Sequence, residues 1–547
     1  MNANEVQAEC TELKRFWNPR AEKFKDWYNI ITLDDSDLKQ EGMECVITNE
    51  PATFFNLALQ LLTPDNIAHR IPVDTIDEDD MAAASEVEKY FGRKWHSLDV
   101  ENTSKGRSGW LRELESFLIA TGWYSVFSLV ASDKIIAEVW NPADVFPDFD
   151  DSGMARCAHI YTISEAAASR KVISRVGWAK PTRPFVGNTT VWDYWRYNNN
   201  GIPWNLVVMG NELVRNSLEP GLKKLPIYCR PVAGLPDRGS ITTGGDWKGQ
   251  IGRGVVATNE GEYVNYNKQQ TFQQQLLRDT AQPRWYEKSR SGGILREADI
   301  FKRGAIFRMT PEEDVGILPT APLPLELRTQ TMDAQSRLQR GSVPYALYGN
   351  VQQVISSVLM SQIASAALQI LKPYHEATKS LMEELDNDWA DAIKSGNSPD
   401  GFKWPRTLPR NVRLEVDYRI DIPGDMVSRV TAGRMLNPQF ELSTTKVMDL
   451  LFPEITDPMR ELARAASDRA QRHPVMESLA LIRALQVNAR ILREAGDTEG
   501  AKLYEEAANM VKSGGEQPRP TAPKVKQPRQ EVMPREAMGG EPTMEGI

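Results

Sequence analysis

The residues able to hold a metal, move a proton or form a covalent bond are sparse in this 547-residue chain and widely spaced. Its four cysteines, Cys10, Cys45, Cys157 and Cys229, form no CxxC pair and none stands at zinc-ligand spacing from a histidine pair. That is the habit of a reduced, cytosolic chain. The five histidines, His69, His96, His159, His375 and His473, give no HExxH. Cys157 and His159 are two residues apart and would share one face of a strand, but two ligands do not make a metal site. The segment NPADVFPDFDD carries Asp144, Asp148, Asp150 and Asp151, whose oxygens could in principle hold Mg²⁺ or Ca²⁺. The same density of Pro and Asp is ordinary turn chemistry, so the segment is expected to be a loop. The glycine-rich run GSITTGGDWKGQIGRG lacks both GxGxxG and GK[ST], and reads as a flexible connector rather than a phosphate cradle. Serine finds no GxSxG setting. The expectation is a protein that is not an enzyme and uses no cofactor and no metal. A metal-dependent hydrolase built on Asp144 to Asp151 is the alternative.

With chemistry thin, the elements themselves carry the reading. Hydrophobic residues make up 41% and charged residues 25%, ordinary globular values, and the length suits several domain-sized parts. Lys and Arg number 65 against 74 Asp and Glu, a net charge of −9, which argues against a surface that grips nucleic acid. The N-terminus meets acidic residues at once, without the basic-then-apolar plan of a signal peptide. Residues 341–371 form a long uncharged stretch, but recurring Gln and Ser disfavour a membrane span and point to a helix packed on protein.

Along the chain the period changes. Helical spacing runs from Val6 to Trp27, resumes after Asn49-Glu50-Pro51 until Pro64, and covers Trp110 to Ala120 up to Gly122. From Tyr124 the period is two: VFSLVASDKIIAEVW is a hairpin turning at Ser132-Asp133, and HIYTIS, VWDYWRY, IPWNLVVMG and ELVRNSLE form a small antiparallel sheet or partial barrel. Residues 259–281 and 325–340 are two polar helices too poor in apolar residues to build a core alone. Between them lies a compact β segment with Arg284, Lys288, Arg290, Arg296, Lys302, Arg303 and Arg308, so the three parts make a protruding stalk with a cap. A helical pattern from Val358 to Ile393 would be about 50 Å long, with Pro373 inside it as a kink. The strand VRLEVDYRIDIP is expected to return to the first-half sheet, and helices then dominate to Lys512, the last two joined at Gly496-Asp497 with Asp497 or Thr498 as N-cap. Residues 513–547 read as disordered.

This order of parts resembles the portal protein, or head-to-tail connector, of tailed bacteriophages. Local sequence agrees: FWNPRAEKFKDWYNIIT with NEPATFFNLALQLLTP is similar to a portal N-terminus, ATGWYSVFSLV with EVWNPADVFPDFDD to its β wing, and EVDYRIDIPGDMVSRVTAGRMLNPQFELST to its C-terminal part. The resemblance covers roughly Phe16 to Lys512. It implies an α+β, mainly α, ring subunit: a wing of N-terminal helices plus β unit (1–258), stem helices 259–281 and 325–340, a clip (282–324), a tunnel loop (341–357), a long wing helix with returning strand (358–437), a helical crown (438–512) and a tail (513–547). It further implies a homo-oligomeric ring, usually a dodecamer, at one capsid vertex of the virion, assembled in the host cytoplasm. Double-stranded DNA would pass it without sequence specificity during packaging and genome ejection. Its partners would be the terminase large subunit and then head-to-tail adaptor or tail proteins at the clip, with major capsid and scaffolding proteins around it, and no membrane.

Two physical points sit well with that resemblance. Side-by-side contacts repeated round a closed ring can bury polar helices that one chain cannot. The tunnel-loop residues Val343, Pro344, Tyr345, Leu347, Tyr348, Asn350, Gln352 and Gln353 carry no charge, so they could touch a moving duplex without lasting phosphate ion pairs. Net acidity then excludes a tight DNA binder while suiting a conduit. A non-viral scaffold that binds helical partners is a further alternative.

Overall fold

The computed structural model describes residues 1–34, 45–64, 67–72, 78–175, 177–234, 252–282, 284–290, 308–318, 325–343, 368–417, 420, 430, 433, 443–452, 458–471, 474–494 and 496–512. The fold is α+β, mainly α, and the chain divides into two compact units, Met1–Asp457 and Pro458–Ile547.

Helix α1 (Ala3–Ile31) opens on a capping box in which Asn2 and Glu5 bond each other's backbone, and it buries Val6, Cys10, Leu13, Trp17, Phe24 and Trp27 on one stripe. It runs through Pro19 without ending. Helix α2 (Glu50–Leu62) carries Pro51 in its first turn, where the missing N–H costs nothing. After the short strand β1 (Ala68–Arg70) come α3 (Glu78–Ser104) and α4 (Trp110–Thr121), the latter closed by Gly122 in the left-handed region at φ 68°.

Two antiparallel sheets follow. Strands β2 (Trp123–Val130) and β3 (Ile135–Val139) form the hairpin expected at Ser132-Asp133, and β9 (Ile227–Pro231) pairs with the other edge of β2. The second sheet is a five-stranded meander of β4 (Val145–Asp150), β5 (Gly153–Ile163), β6 (Thr189–Tyr197), β7 (Pro203–Met209) and β8 (Glu212–Leu218). Gly210 and Asn211, both at positive φ, make the two-residue turn from β7 to β8. Helix α5 (Glu165–Ser174) covers one face of this sheet with a small core of its own, Ala168 and Val172 against Val191, Val207, Met209 and Val214.

The main core joins α1 to α4, the three-stranded sheet and α8 (Lys372–Lys394), and tryptophans dominate it: Trp17, Trp110, Trp123 and Trp389 are fully buried. At its centre the Arg20 guanidinium lies between the Trp17 and Trp123 rings, 4.4 and 4.5 Å from their centroids, and donates to the Val145 carbonyl at 2.5 Å. Nearby, Asp386 of α8 bonds His69 Nδ1 at 2.6 Å and accepts from Trp95 Nε1 at 2.8 Å, tying β1, α3 and α8 together.

Pro373 stands in the first turn of α8, and residues 358–367 of the long helical pattern lie outside the described residues. Three expectations are corrected here. The Pro/Asp segment is largely a strand, because β4 is a sheet edge, where Pro147 need not donate to a neighbour. The returning strand, β12 (Glu415–Asp417), reaches the first half but pairs with β1 in a separate two-stranded ladder and not with the larger sheets. The end of the glycine-rich run packs tightly: a Cβ on Gly252 would sit 1.8 Å from the Gly122 oxygen, and one on Gly254 2.3 Å from that of Ala120. The rest of that run lies outside the described residues.

Helix α9 (Thr444–Leu451) falls in the first unit. The second unit holds α10 (Pro458–Gln471), α11 (Pro474–Glu494) and α12 (Thr498–Lys512). The last two form a hairpin in which Asp497 caps α12, its Oδ1 accepting from Gly500 N at 2.9 Å.

Candidate interaction surface: a helix pair with a β tip

Helices α6 (Glu260–Ala281) and α7 (Leu325–Arg340) lie against each other, joined at their far end through the antiparallel strands β10 (Trp285–Lys288) and β11 (Asp314–Ile317). The start of α6 meets the end of α7, so the pair is antiparallel. Asn259 Nδ2 donates to the Leu338 carbonyl at 2.8 Å, and Arg337 Nε to Glu262 at 3.3 Å. Gly341 makes this junction possible, since a Cβ there would stand 2.0 Å from Asn259 Oδ1.

The base of the pair is fastened to α1 and to the segment before α2. Glu260 accepts from Lys23 Nζ at 2.7 Å and Trp27 Nε1 at 3.0 Å, and Lys23 holds its carboxyl below the ordinary glutamate range against the opposing effect of partial burial. Asn267 accepts from the backbone and hydroxyl of Thr48 at 3.1 and 2.7 Å, and Thr271 Oγ1 accepts from Val46 N at 3.1 Å. Tyr263 and Tyr266 are buried here. These two helices are therefore less solvent-borne at their base than their composition implied. Further along the pair, Phe272 is 54% exposed, Leu277 49%, and Met332 on α7 63%.

At the tip, the Tyr286 hydroxyl donates to Asp314 at 2.8 Å, which raises the tyrosine's affinity for its proton. Its ring lies over Gly316, where a Cβ would be 2.8 Å away. Ser289 Oγ donates to Glu313 at 2.8 Å, and Arg290 stands 3.6 Å from Glu312. Of the seven basic residues singled out in the clip, Arg284, Lys288, Arg290 and Arg308 fall among the described residues and share the tip with acids; Arg296, Lys302 and Arg303 lie outside them. The apolar side chains exposed at the tip, Tyr286, Met309, Ile317 and Leu318, were not anticipated. Their sequence signal is slight: Tyr286 follows Trp285 and Ile317 adjoins Leu318 in short apolar pairs, and Met309 stands between Arg308 and Thr310.

Of the uncharged residues after α7, Val343 is 1% exposed and packs into the main core. Pro344, Tyr345, Leu347, Tyr348, Asn350, Gln352 and Gln353 lie outside the described residues. The four aspartates do not converge on a metal: Asp148 pairs with Arg156 at 2.8 Å, Asp150 accepts from Ser152, and no group of three or more His, Cys, Asp or Glu able to hold an ion occurs among the described residues. Cys157 and His159 are both buried on β5, and burial drives the thiol up and the imidazole down to about 3. No described helix is long and apolar enough to cross a membrane.

No protein-family model matches the chain, and no curated protein matches its sequence. Among solved structures it is similar to a chain in the neck of an empty GTA particle computed with C6 symmetry, at 12% identity and TM-score 0.38, covering 74% of this chain and 90% of that one. A chain from the virion of a native gene transfer agent (GTA) particle gives 12% identity and TM-score 0.38 over 73% of this chain and 89% of that one. A chain in the neck of a native GTA particle computed with C12 symmetry gives 12% and 0.37 over 74% and 89%.

Proposed function

We propose that this chain is a portal-type ring subunit, a structural component of a tailed-phage-like particle through which double-stranded DNA passes. The observation that carries the reading is the antiparallel pair α6 and α7: fastened at its base, capped by a β tip, and bearing large apolar side chains that the described residues leave exposed. Phe272, Leu277 and Met332 stand where a neighbouring copy's stem would lie, and side-by-side contacts repeated about an axis would bury them in every subunit at once. In this account about twelve copies form the ring, the tip with Arg284, Lys288, Arg290 and Arg308 meets the terminase large subunit and later a head-to-tail adaptor, and the uncharged residues after Val343 border the DNA path. The chain acts by shape and assembly, not by catalysis.

Charge placed on the stem tests this. Phe272→Glu combined with Met332→Glu is expected to leave the fold intact, with unchanged far-ultraviolet circular dichroism, and to shift the sedimentation of the protein from a large assembly to a monomer. An assembly of unchanged size in the double variant would count against a stem-mediated ring.

A further inference from the structure

Independent of the ring, the β unit contains an enclosed polar site with no assigned role. Strand register builds it. Across β5, β6, β7 and β8, His159 pairs with Asp193, Asp193 with Val207, and Val207 with Arg215, so three ionisable side chains project in one row on the face that α5 covers. Trp195 and Asn205 form the next row. Helix α5 adds Lys171 and Arg175 from above, and the β2–β3 hairpin closes the side with Glu138 and Trp140. Together they enclose a cavity of about 70 Å³, room for more than a single water.

The polar groups around this cavity do not balance. Arg175 is paired with Glu138 at 3.1 Å, Arg215 with Glu219 at 2.5 Å, and Asp193 accepts from Asn205 at 2.7 Å. Apart from the Asp193 carboxylate, whose charge faces Lys171, what remains unpartnered is mostly donor. Trp178 Nε1, Trp195 Nε1 and Arg215 Nε are buried with no acceptor among the described residues, and His159 Nδ1 is likewise unpartnered on a side chain 8% exposed. Lys171 donates to the Tyr161 hydroxyl, and the Asp193 and Glu138 carboxylates lie near enough to favour its charge without bonding it directly. Buried donors without acceptors are costly, and native proteins seldom leave several around one cavity. A guest that supplies acceptors satisfies these donors; an amine or a metal cation would not.

We propose that this cavity binds a small oxyanion, of the size of a carboxylate or phosphate ion, held by Lys171, Arg215 and the indole N–H groups of Trp178 and Trp195. The ring of tryptophans shields it from water, and the ligand would cross-link α5, the five-stranded sheet and the β2–β3 hairpin.

The test uses the full-length protein with sodium acetate and sodium phosphate as probes, against sodium chloride at equal ionic strength. The melting temperature should rise by a few degrees with at least one probe over chloride, and titration calorimetry should give saturable heat with the same probe. Lys171→Met should abolish both responses, and Trp178→Phe, which keeps the ring and removes one donor, should weaken binding severalfold. The proposal is overturned by absence of heat and shift in the wild-type protein, which would leave only water in the cavity. It is equally overturned by responses that persist unchanged in Trp178→Phe, which tests the site even where Lys171→Met does not fold.

Discussion

Glu115 of α4 is fully buried, and neither its oxygens nor the neighbouring Thr378 hydroxyl finds a partner in good hydrogen-bond geometry. Burial raises its carboxyl from the ordinary 4.5 to about 8, with Thr378 pulling weakly the other way. The folded state therefore holds a proton that the unfolded chain releases near pH 4.5, so this contribution to stability is complete below that value and is lost as pH rises to about 8. Linkage puts the loss on the order of 4–5 kcal/mol. Glu115→Gln should erase it: chemical denaturation of the variant is expected to give a flatter profile between pH 5 and about 8 and greater stability than wild type at the alkaline end. Equal pH slopes in the two proteins would refute the assignment. No periodicity announces such a residue, because a glutamate inside an amphipathic helix pattern looks like a solvated one until the partner elements are in place. The same holds for Arg20, which local pattern alone would leave at the surface and which instead sits between two tryptophans.

At the scale of elements, local signals were legible and long-range pairings were not. The β2–β3 hairpin, the meander, both polar helices and the Asp497 cap follow from alternation, helical spacing and turn residues read within about a dozen positions. Strand β1 has three residues and a partner, β12, far along the chain, so no local pattern could reveal it. Strand β4 was masked by Pro147, whose tolerance depends on an edge position visible only in the assembled sheet. Proline placement gives a clean contrast. Pro373→Ala, at a helix start, should change stability by no more than about 1 kcal/mol. Gly341→Ala should cost about 1–3 kcal/mol, because it drives Asn259 from the Leu338 carbonyl and leaves a buried amide unpaired. Melting curves of the two variants check both, and a Gly341→Ala protein as stable as wild type would show that the α6–α7 junction does not depend on that contact.

For the whole molecule, the described elements run as helices with a β unit, a polar helix, a β tip, a second polar helix and further helices. The proposed contact surface could not be read in the same way. Its evidence is the exposure of Phe272, Leu277 and Met332 on helices whose composition is otherwise polar, a property of three-dimensional placement. The net charge of −9 fits this account, since a conduit must let phosphate pass and has no need to hold it. Negative-stain electron microscopy of the purified full-length chain tests the central claim most directly. The account predicts closed rings of about twelve subunits with a central hole, and a uniform population of monomers at high protein concentration would contradict it.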